Sequence, residues 1–212
     1  MSETRRRRAN GEASREKVLD AAAEIAGERG YEGTSINLIS ERSGVPPSSI
    51  YWHFKDKDEL IAEVIERSYQ RWVAASTPHP MGAGIAEDHE VFMSEMQRVG
   101  AAIADFPDFL RLGIMLILER RPDELSARRK FVEVRRATLA STAKGYAEQF
   151  PELDAADISQ LTMLTLALAD GLFVAQEAGD SDMRRSFDLL ATAVLGTADR
   201  LLAAKRAAGT RR

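Results

Sequence analysis

The sequence predicts an all-α protein with a small N-terminal head and a larger C-terminal helical domain. Apolar residues recur at spacings of three and four along most of the 212 residues, which is the period of an amphipathic helix. No stretch alternates strictly between apolar and polar residues, as a half-buried strand does. We therefore expect a flexible basic segment over residues 1–13, a head over residues 14–74 and a C-terminal domain over residues 75–212.

Four short-range signals predict the first helices of the head. A first helix is expected to begin at Ser14, a good N-cap, and to end at Gly30. Ser35 can cap a second helix over residues 36–43, and Gly44 stands where that helix must stop and the chain reverse direction. This pattern is typical of a helix-turn-helix with its supporting helix.

The third helix is predicted over residues 47–53 and has two different faces. Proline is tolerated in a first helical turn, so the Val-Pro-Pro run can start it. Ile50 and Phe54 lie on an apolar side that can dock on neighbouring helices. Asp56 can then cap a fourth helix, and Glu59 completes a capping box. The other side carries hydrogen-bonding groups that suit a DNA major groove or its phosphates, namely Ser48, Ser49, Tyr51, Trp52 and His53.

The segment GYEGTSINLISERSGVPPSSIYWHFKDKDELI carries these signals together and in order. It resembles the N-terminal DNA-binding domain of the TetR family of bacterial transcription regulators, and the similarity extends over residues 14 to about 70. The resemblance implies a homodimeric repressor that binds a palindromic double-stranded DNA operator through paired recognition helices. It also implies release from DNA when a small effector fills a pocket in the C-terminal domain.

The resemblance assigns roles to residues of the motif. Asn37 matches a position that contacts bases or phosphates, and Pro47, Ser48 and Ser49 match the base-reading start of the recognition helix. The positions of Tyr51, His53 and Lys57 usually contact the sugar-phosphate backbone. Trp52 either contacts DNA or packs against the following helix. The full set of predicted DNA-binding residues is Ser35, Asn37, Pro47, Ser48, Ser49, Tyr51, Trp52, His53 and Lys57.

Two positions depart from the family pattern. Ser40 replaces the usual alanine, and its hydroxyl is expected to bond back to the preceding turn. The Pro46 and Pro47 pair gives the start of the recognition helix little hydrogen-bonding capacity. Base recognition is therefore expected to depend on apolar contacts and on Asn37.

The charge distribution is uneven in the direction that DNA binding requires. The whole chain has a net charge of −4, whereas residues 1–57 hold ten Lys or Arg against nine Asp or Glu. Much of that excess comes from the run Arg5, Arg6, Arg7 and Arg8. The run is either a flexible solubilising tail or an arm that contacts phosphates or the minor groove.

Composition excludes several other classes of protein. The chain has no cysteine, which excludes disulfides and thiolate metal sites. It has no run of about 18 uncharged apolar residues, and its N-terminus lacks the apolar region of a signal peptide. We therefore expect a cytoplasmic protein.

The C-terminal domain is predicted to begin after a linker over residues 77–84 and to consist of long helices. Their expected bounds are about 85–104, 107–120, 123–149, 155–178 and 182–205. The helix from Pro107 is apolar nearly all round between Leu112 and Leu118, so it should be covered on several sides. The resemblance implies that such a helix lines the effector pocket and transmits its movement to the head.

Methionine and phenylalanine supply adaptable apolar surface, so they are candidates for lining a pocket that binds a hydrophobic effector. The alternative is that each is an ordinary core residue. The candidate ligand-binding residues are Phe92, Met96, Phe109, Ile114, Met115, Phe131, Met163 and Phe173.

The last two helices are predicted to form a homodimer interface, because each carries an apolar stripe and two helices from each subunit would make a four-helix bundle. Asp170 interrupts one stripe beside Gly171, as either a polar anchor for the effector or a paired carboxylate at the interface. The predicted interface residues are Leu161, Leu164, Leu168, Leu172, Phe187, Leu190, Val194, Ala198 and Leu201.

Nothing in the sequence predicts catalysis, a cofactor or a metal site. The three histidines are scattered, and the run from Glu87 to Glu90 is better explained as a solvated acidic helix start, since consecutive residues cannot share one helical face. The chain also lacks a phosphate-binding glycine loop, a nucleophile elbow and an HExxH motif. The alternative function is a structural or division-control DNA-binding protein whose C-terminal domain binds a protein partner.

Overall fold

The computed structural model describes residues 3–76, 89–119 and 125–209, and the regular elements in those ranges are all α-helices, as predicted. The predicted linker over residues 77–84 and the acidic pair Glu87 and Asp88 lie outside the described residues. The helices are α1 (Glu3–Arg29), α2 (Ile36–Ser43), α3 (Pro47–His53), α4 (Lys57–Ser76), α5 (His89–Asp105), α6 (Asp108–Leu118), α7 (Ser126–Gln149), α8 (Ala155–Glu177) and α9 (Met183–Gly209).

The described residues divide into two compact units that are not simply successive in sequence. Unit 1 is drawn from Met1–Arg71 and Phe106–Val134, and unit 2 from Trp72–Asp105 and Arg135–Arg212. Unit 1 therefore contains α6 and the start of α7 as well as the head helices. Helices α4 and α7 each continue from one unit into the other.

Helix α1 begins earlier than predicted. It starts at Glu3, and Ser14 lies inside it, where its hydroxyl donates to the carbonyl of Asn10 at 2.9 Å. The predicted cap at Ser14 is therefore wrong. Glutamate, arginine and alanine before it are strong helix formers, and a serine inside a helix commonly bonds to a carbonyl one turn earlier.

The core of unit 1 comes from the apolar stripes of α1 to α4. Val18, Leu19 and Ile25 of α1 are buried with Ile39, Ile50, Phe54 and Leu60. Gly30 and Gly44 end α1 and α2 with φ values of 70° and 69°, which a side chain would disfavour.

Two contacts join α4 to the later part of unit 1. The carboxylate of Asp58 accepts the backbone N–H groups of Ser126 and Ala127 at 2.6 and 3.1 Å, so a residue of α4 caps α7. One turn further along α7, the ammonium of Lys130 lies 3.3 Å from the carboxylate of Glu66. The start of α7 is thus fixed to α4 at two successive turns.

Helix α6 is covered on fewer sides than predicted. Phe109, Leu112 and Leu116 are buried, and a Cβ at Gly113 would lie only 1.9 Å from the ring of Phe131. Three apolar side chains near its end are exposed, however, and these are Met115, Ile117 and Leu118. The expectation that the helix is covered on several sides does not hold at this end.

Unit 2 is a helical bundle in which α9 packs against α5 and α8. A Cβ at Gly100 of α5 would lie 2.6 Å from the ring of Phe187, so the two helices approach closely there. Asp154 caps α8 and also binds the ammonium of Lys205 at 2.5 Å. These contacts join the start of α9 to α5 and the end of α9 to the start of α8.

By length and composition alone, α8 could cross a membrane, and it is the one such helix in the described part of the chain. A core helix of a soluble protein passes the same test, so the observation is weak evidence for a membrane span. Helix α8 buries Ile158, Leu161 and Phe173 within unit 2, which favours the core-helix interpretation.

Candidate nucleic-acid interface

The helix-turn-helix is held in shape by short-range hydrogen bonds. Ser35 caps α2 by accepting the N–H of Leu38 at 3.3 Å, as predicted. Gly44 ends α2 by donating its N–H to the carbonyl of Ser40 at 3.0 Å. Helix α3 then starts directly after Pro46, with Pro47 in its first turn. The turn between the two helices therefore has a defined geometry.

Helix α3 separates its faces as the sequence predicts. Ile50 and Phe54 are buried, whereas Tyr51 is 55% exposed and Trp52 is 79% exposed. Such exposure excludes packing of Trp52 against α4; its ring instead meets the ring of His53 edge to face at 4.7 Å. Two large aromatic side chains thus stand on the outer face of a helix whose inner face is fixed in the core.

The remaining predicted DNA-binding residues lie beside this face or one turn from it. Asn37 of α2 and both Pro47 and Ser48 of α3 are exposed, and Ser49 is half-buried. Ser35 is also exposed, but its side-chain oxygen is already occupied as the cap of α2. Contact of each residue with DNA stays a prediction.

Two side-chain bonds differ in detail from the expectation. The hydroxyl of Ser40 donates forward, to the carbonyl of Val45 at 2.8 Å, rather than back to the preceding turn, so it ties α2 to the residue after Gly44. Asp56 accepts the N–H of Glu59 at 2.8 Å, but the carboxylate of Glu59 reaches the N–H of Lys55 at 2.5 Å rather than that of Asp56. Both bonds stiffen the segments on either side of α3.

Lys57 lies in the first turn of α4, but its ammonium is already engaged within the head. It donates to the carbonyl of Tyr31 at 3.0 Å and lies 4.2 Å from the centroid of the Tyr31 ring. The predicted phosphate ligand is therefore also a structural link between α4 and the segment that follows α1.

The side chain of Arg15, a residue of α1 that the sequence does not single out, lies beside the C-terminal end of α3. Its guanidinium carbon is 5.4 Å from the centroid of the Phe54 ring, and its Nη2 donates to the carboxylate of Glu63 at 2.7 Å. Burial, with the charge of Arg15 as a second cause, lowers the pKa of His53 and so favours the uncharged imidazole. No local pattern signals Arg15, because 39 residues separate it from Phe54 in the sequence.

The segment that forms the helix-turn-helix also matches known proteins. Residues 18–64, which include α2, α3 and the start of α4, match the family model described as "Bacterial regulatory proteins, tetR family". Over these residues the chain has a DNA-binding domain of the TetR type. The relatives and solved structures to which it is similar are described as transcriptional regulators.

Among curated TetR relatives, the HTH-type transcriptional regulator AcrR of Shigella flexneri is 36% identical over 64 residues, which are 30% of each chain. The HTH-type transcriptional activator FasR of Mycolicibacterium smegmatis is 30% identical over 131 residues, covering 60% of this chain and 55% of that one. The chain thus matches less than two thirds of the length of either relative.

Solved structures show the same fold over most of the chain. A transcriptional regulator from Aquifex aeolicus is 18% identical with a TM-score of 0.66, covering 86% of this chain and 98% of that one. SmeT, described as the repressor of the Stenotrophomonas maltophilia multidrug efflux pump SmeDEF, is 20% identical with a TM-score of 0.63, covering 86% and 88%. At these identities the likeness shows the TetR fold alone.

The candidate ligand-binding residues are divided between the two units. Unit 1 contains Phe109, Ile114, Met115 and Phe131, and unit 2 contains Phe92, Met96, Met163 and Phe173. Met115 is 44% exposed and Met163 is 62% exposed, so these two do not line an interior. The prediction is therefore wrong for both, and the other six remain candidates alongside their role as core or half-buried residues.

Unit 2 also buries polar groups that the sequence did not single out. Tyr146 and Thr165 share a hydrogen bond of 2.8 Å, and the Thr165 hydroxyl donates to the carbonyl of Leu161. Burial raises the pKa of Tyr146 to about 12, so its hydroxyl stays protonated. One turn away, the hydroxyl of Thr162 is buried without a hydrogen-bond partner. These hydroxyls are candidate polar contacts inside an otherwise apolar bundle.

The predicted dimer stripe needs a correction, because most of it packs inside unit 2. Leu164, Leu168, Leu172 and Leu201 are half-buried. The members that are fully enclosed within one chain, and so cannot meet a second copy, are Leu161, Phe187, Leu190, Val194 and Ala198. An apolar stripe predicts that its residues are buried, but the helices that bury them can belong to the same chain.

A different stripe of α8 is uncovered. Met163, Ala167, Gly171 and Val174 are exposed at helical spacing, and Leu189 of α9 is exposed as well. Asp170 beside this stripe is bound by Arg135 through two hydrogen bonds of 3.0 and 2.5 Å. Of the two alternatives for Asp170, the paired carboxylate is the one that the contacts favour.

The described residues include no group of three or more histidine, aspartate or glutamate side chains that could hold a metal ion. His89 and Glu90 form the start of α5.

Proposed function

We propose that the protein is a DNA-binding transcriptional regulator that inserts α3 into the major groove. The observation that carries the proposal is the division of α3, in which a buried Ile50 and Phe54 fix a helix whose outer face presents Tyr51 and Trp52. Exposed side chains on a rigid helix are what groove recognition requires, since a disordered helix would have to be ordered on binding. The expected cellular location is the cytoplasm, where DNA is accessible.

Asn37 and the start of α3 are proposed to read bases, and Tyr51, His53 and Lys57 to contact the backbone. Prolines at the start of α3 offer no N–H, so hydrogen-bonded recognition rests mainly on Asn37 and the two serines that follow. Lys57 must share its ammonium between a phosphate and the carbonyl of Tyr31, which its three N–H donors permit.

The working unit is proposed to be a homodimer joined through the uncovered stripe of α8 and the exposed part of α9. Small residues at positions 167 and 171 would let two α8 helices approach closely, and Met163 and Val174 would supply the apolar contact. A two-fold dimer places two α3 helices on successive turns of a palindromic site, roughly 34 Å apart.

The protein is further proposed to act as a repressor that a small hydrophobic effector releases from its operator. Several relatives are named repressors. The interior of unit 2 is apolar around Phe92 and Phe173 and also contains a few buried hydroxyls. Release requires the effector to bind more tightly to a conformation that cannot hold both α3 helices in register.

Gel-shift with the intergenic DNA upstream of the gene tests the main proposal. The full chain should shift this DNA, and Tyr51→Phe should weaken binding to every sequence, whereas Asn37→Ala should change which sequences are preferred. Absence of any shift at low salt would refute DNA binding. Equal losses at every operator position for Asn37→Ala would refute base reading by that residue. Hydrophobic compounds that abolish the shift would then identify the effector class.

Sedimentation of charge-bearing variants tests the dimer surface. Val174→Lys should convert a dimer into a monomer, because a lysine in the centre of an apolar interface is costly to desolvate. Ala147→Lys, at an exposed position on α7, is the matched control and should remain dimeric. A Val174→Lys protein that sediments as the parent does would show that this stripe is not the interface.

A further inference from the structure

Arg15 is held from two sides at the C-terminal end of α3. The Phe54 ring lies beneath its guanidinium, with 5.4 Å between the guanidinium carbon and the ring centroid, and Glu63 of α4 accepts its Nη2 at 2.7 Å. The side chain nevertheless remains 34% exposed. A cation is therefore positioned in advance beside the helix that is proposed to enter the groove.

The guanidinium retains donors for a further ligand. Arginine has five N–H groups in a planar fork, and one of them is bonded to Glu63. The nearest other carboxylate oxygen, on Glu16, lies 3.9 Å from Nη1, which is beyond hydrogen-bonding distance. The fork geometry suits two oxygens of one phosphate.

His53 alone does not supply the charge that a phosphate at this place needs. His53 is half-buried, and burial lowers its pKa, which favours an uncharged imidazole that can still donate one hydrogen bond. Lys57, the predicted phosphate ligand, keeps its positive charge, and its ammonium is directed at the carbonyl of Tyr31. Arg15 can supply charge where His53 supplies only a hydrogen bond.

We propose that Arg15 and His53 form a phosphate-binding site at the C-terminal end of α3 that takes a DNA backbone phosphate. The inference rests on the proposed DNA-binding function and adds to it a contact from α1. Glu63 holds the arginine in place in the free protein and shares it with the phosphate in the complex.

The salt dependence of DNA binding is the test, because it counts phosphate contacts rather than stability. Full-length protein is titrated onto a fluorescent 20-base-pair duplex of arbitrary sequence between 50 and 200 mM KCl. The slope of log affinity against log salt is negative, and each lost phosphate contact makes it shallower by about 0.9. Between 50 and 200 mM KCl the parent should therefore lose about 3.5-fold more affinity for DNA, per DNA-binding head, than Arg15→Gln does. Arg15→Lys, which keeps the charge, should restore most of the slope.

Arg42→Gln is a matched control. Its side chain is 39% exposed, it is bound by Glu24 and Glu28 of α1, and its removal changes the net charge by the same amount. The control should keep the parental slope. Equal slope changes in Arg15→Gln and Arg42→Gln would point to a general charge effect and overturn the site.

A second measurement reports whether Arg15 stands beside His53 in solution. Loss of its positive charge should raise the pKa of His53, which NMR titration of the free protein detects whether or not DNA binds. A parent that binds DNA while Arg15→Gln leaves the slope unchanged would overturn the proposed site and leave the function standing. A parent that binds no duplex at all would overturn both.

Discussion

Replacing Gly113 by alanine should destabilise the protein, although alanine normally stabilises a helix. The new Cβ would lie 1.9 Å from one ring atom of Phe131, so the ring must retreat by about 1.5 Å to reach ordinary contact at 3.4 Å. Phe131 is 1% exposed and cannot turn out into solvent. Overpacking of this kind costs about 1–3 kcal/mol, and the tightness of the contact places Gly113→Ala in the upper part of that range.

Alanine offsets part of this cost, since a helical glycine is about 0.5–1 kcal/mol less favourable than alanine. The net loss should be about 1–2 kcal/mol, which lowers the melting temperature by about 2–8 °C in a chain of this size. Urea and thermal unfolding followed by circular dichroism measure both quantities.

Gly145→Ala is the control, because nothing lies within 4 Å of a Cβ at this helical glycine of α7. It should stabilise by about 0.5–1 kcal/mol. Gly113→Ala with Phe131→Leu should recover part of the loss, as a smaller side chain vacates the space. If Gly113→Ala proved as stable as Gly145→Ala, the close packing of α6 against α7 would be refuted.

Three further outcomes follow from single contacts. Asp58→Ala should cost about 0.5–2 kcal/mol and speed hydrogen exchange at the first two amides of α7, because it removes their cap; unchanged exchange would contradict the cap. Thr162→Val should leave stability unchanged or raise it slightly, since the buried hydroxyl has no partner, while Thr165→Val should cost about 1–2 kcal/mol in urea unfolding by breaking two bonds; equal losses would show that Thr162 is bonded after all. The hydrogen bond from Lys205 lowers the pKa of Asp154 from 3.8 to about 2, so its contribution to stability is present above pH 4 and lost as the pH falls through about 2. The stability gap between the parent and Asp154→Asn should therefore close over that range, and a gap constant down to pH 2 would contradict the pairing.

The features predicted correctly are those that neighbouring residues fix. Ser35 caps α2, Gly44 ends it and Asp56 caps α4, each through a bond that spans three or four residues. The two faces of α3 follow in the same way from the spacing of Ile50 and Phe54. Such bonds depend on residue type and spacing, both of which the sequence contains.

The wrong predictions concern which helix faces pack against each other. Phe187 and Val194 form an apolar stripe, and the sequence predicts their burial but not that the same chain buries them. Met163, in contrast, is predicted from its residue type to line a pocket, but it lies on the uncovered side of α8. Periodicity gives the direction of a side chain around its own helix and carries no information on the partner helix.

The sequence by itself determined the all-α class and the helix-turn-helix, because capping, turn chemistry and helical period are local. The tertiary structure decided that Asp58 caps a helix 68 residues away, that Arg15 reaches the end of α3, and that Phe131 packs onto Gly113. Those contacts join residues far apart in the chain. They exist only because burial of several apolar stripes at once fixes how the helices pack.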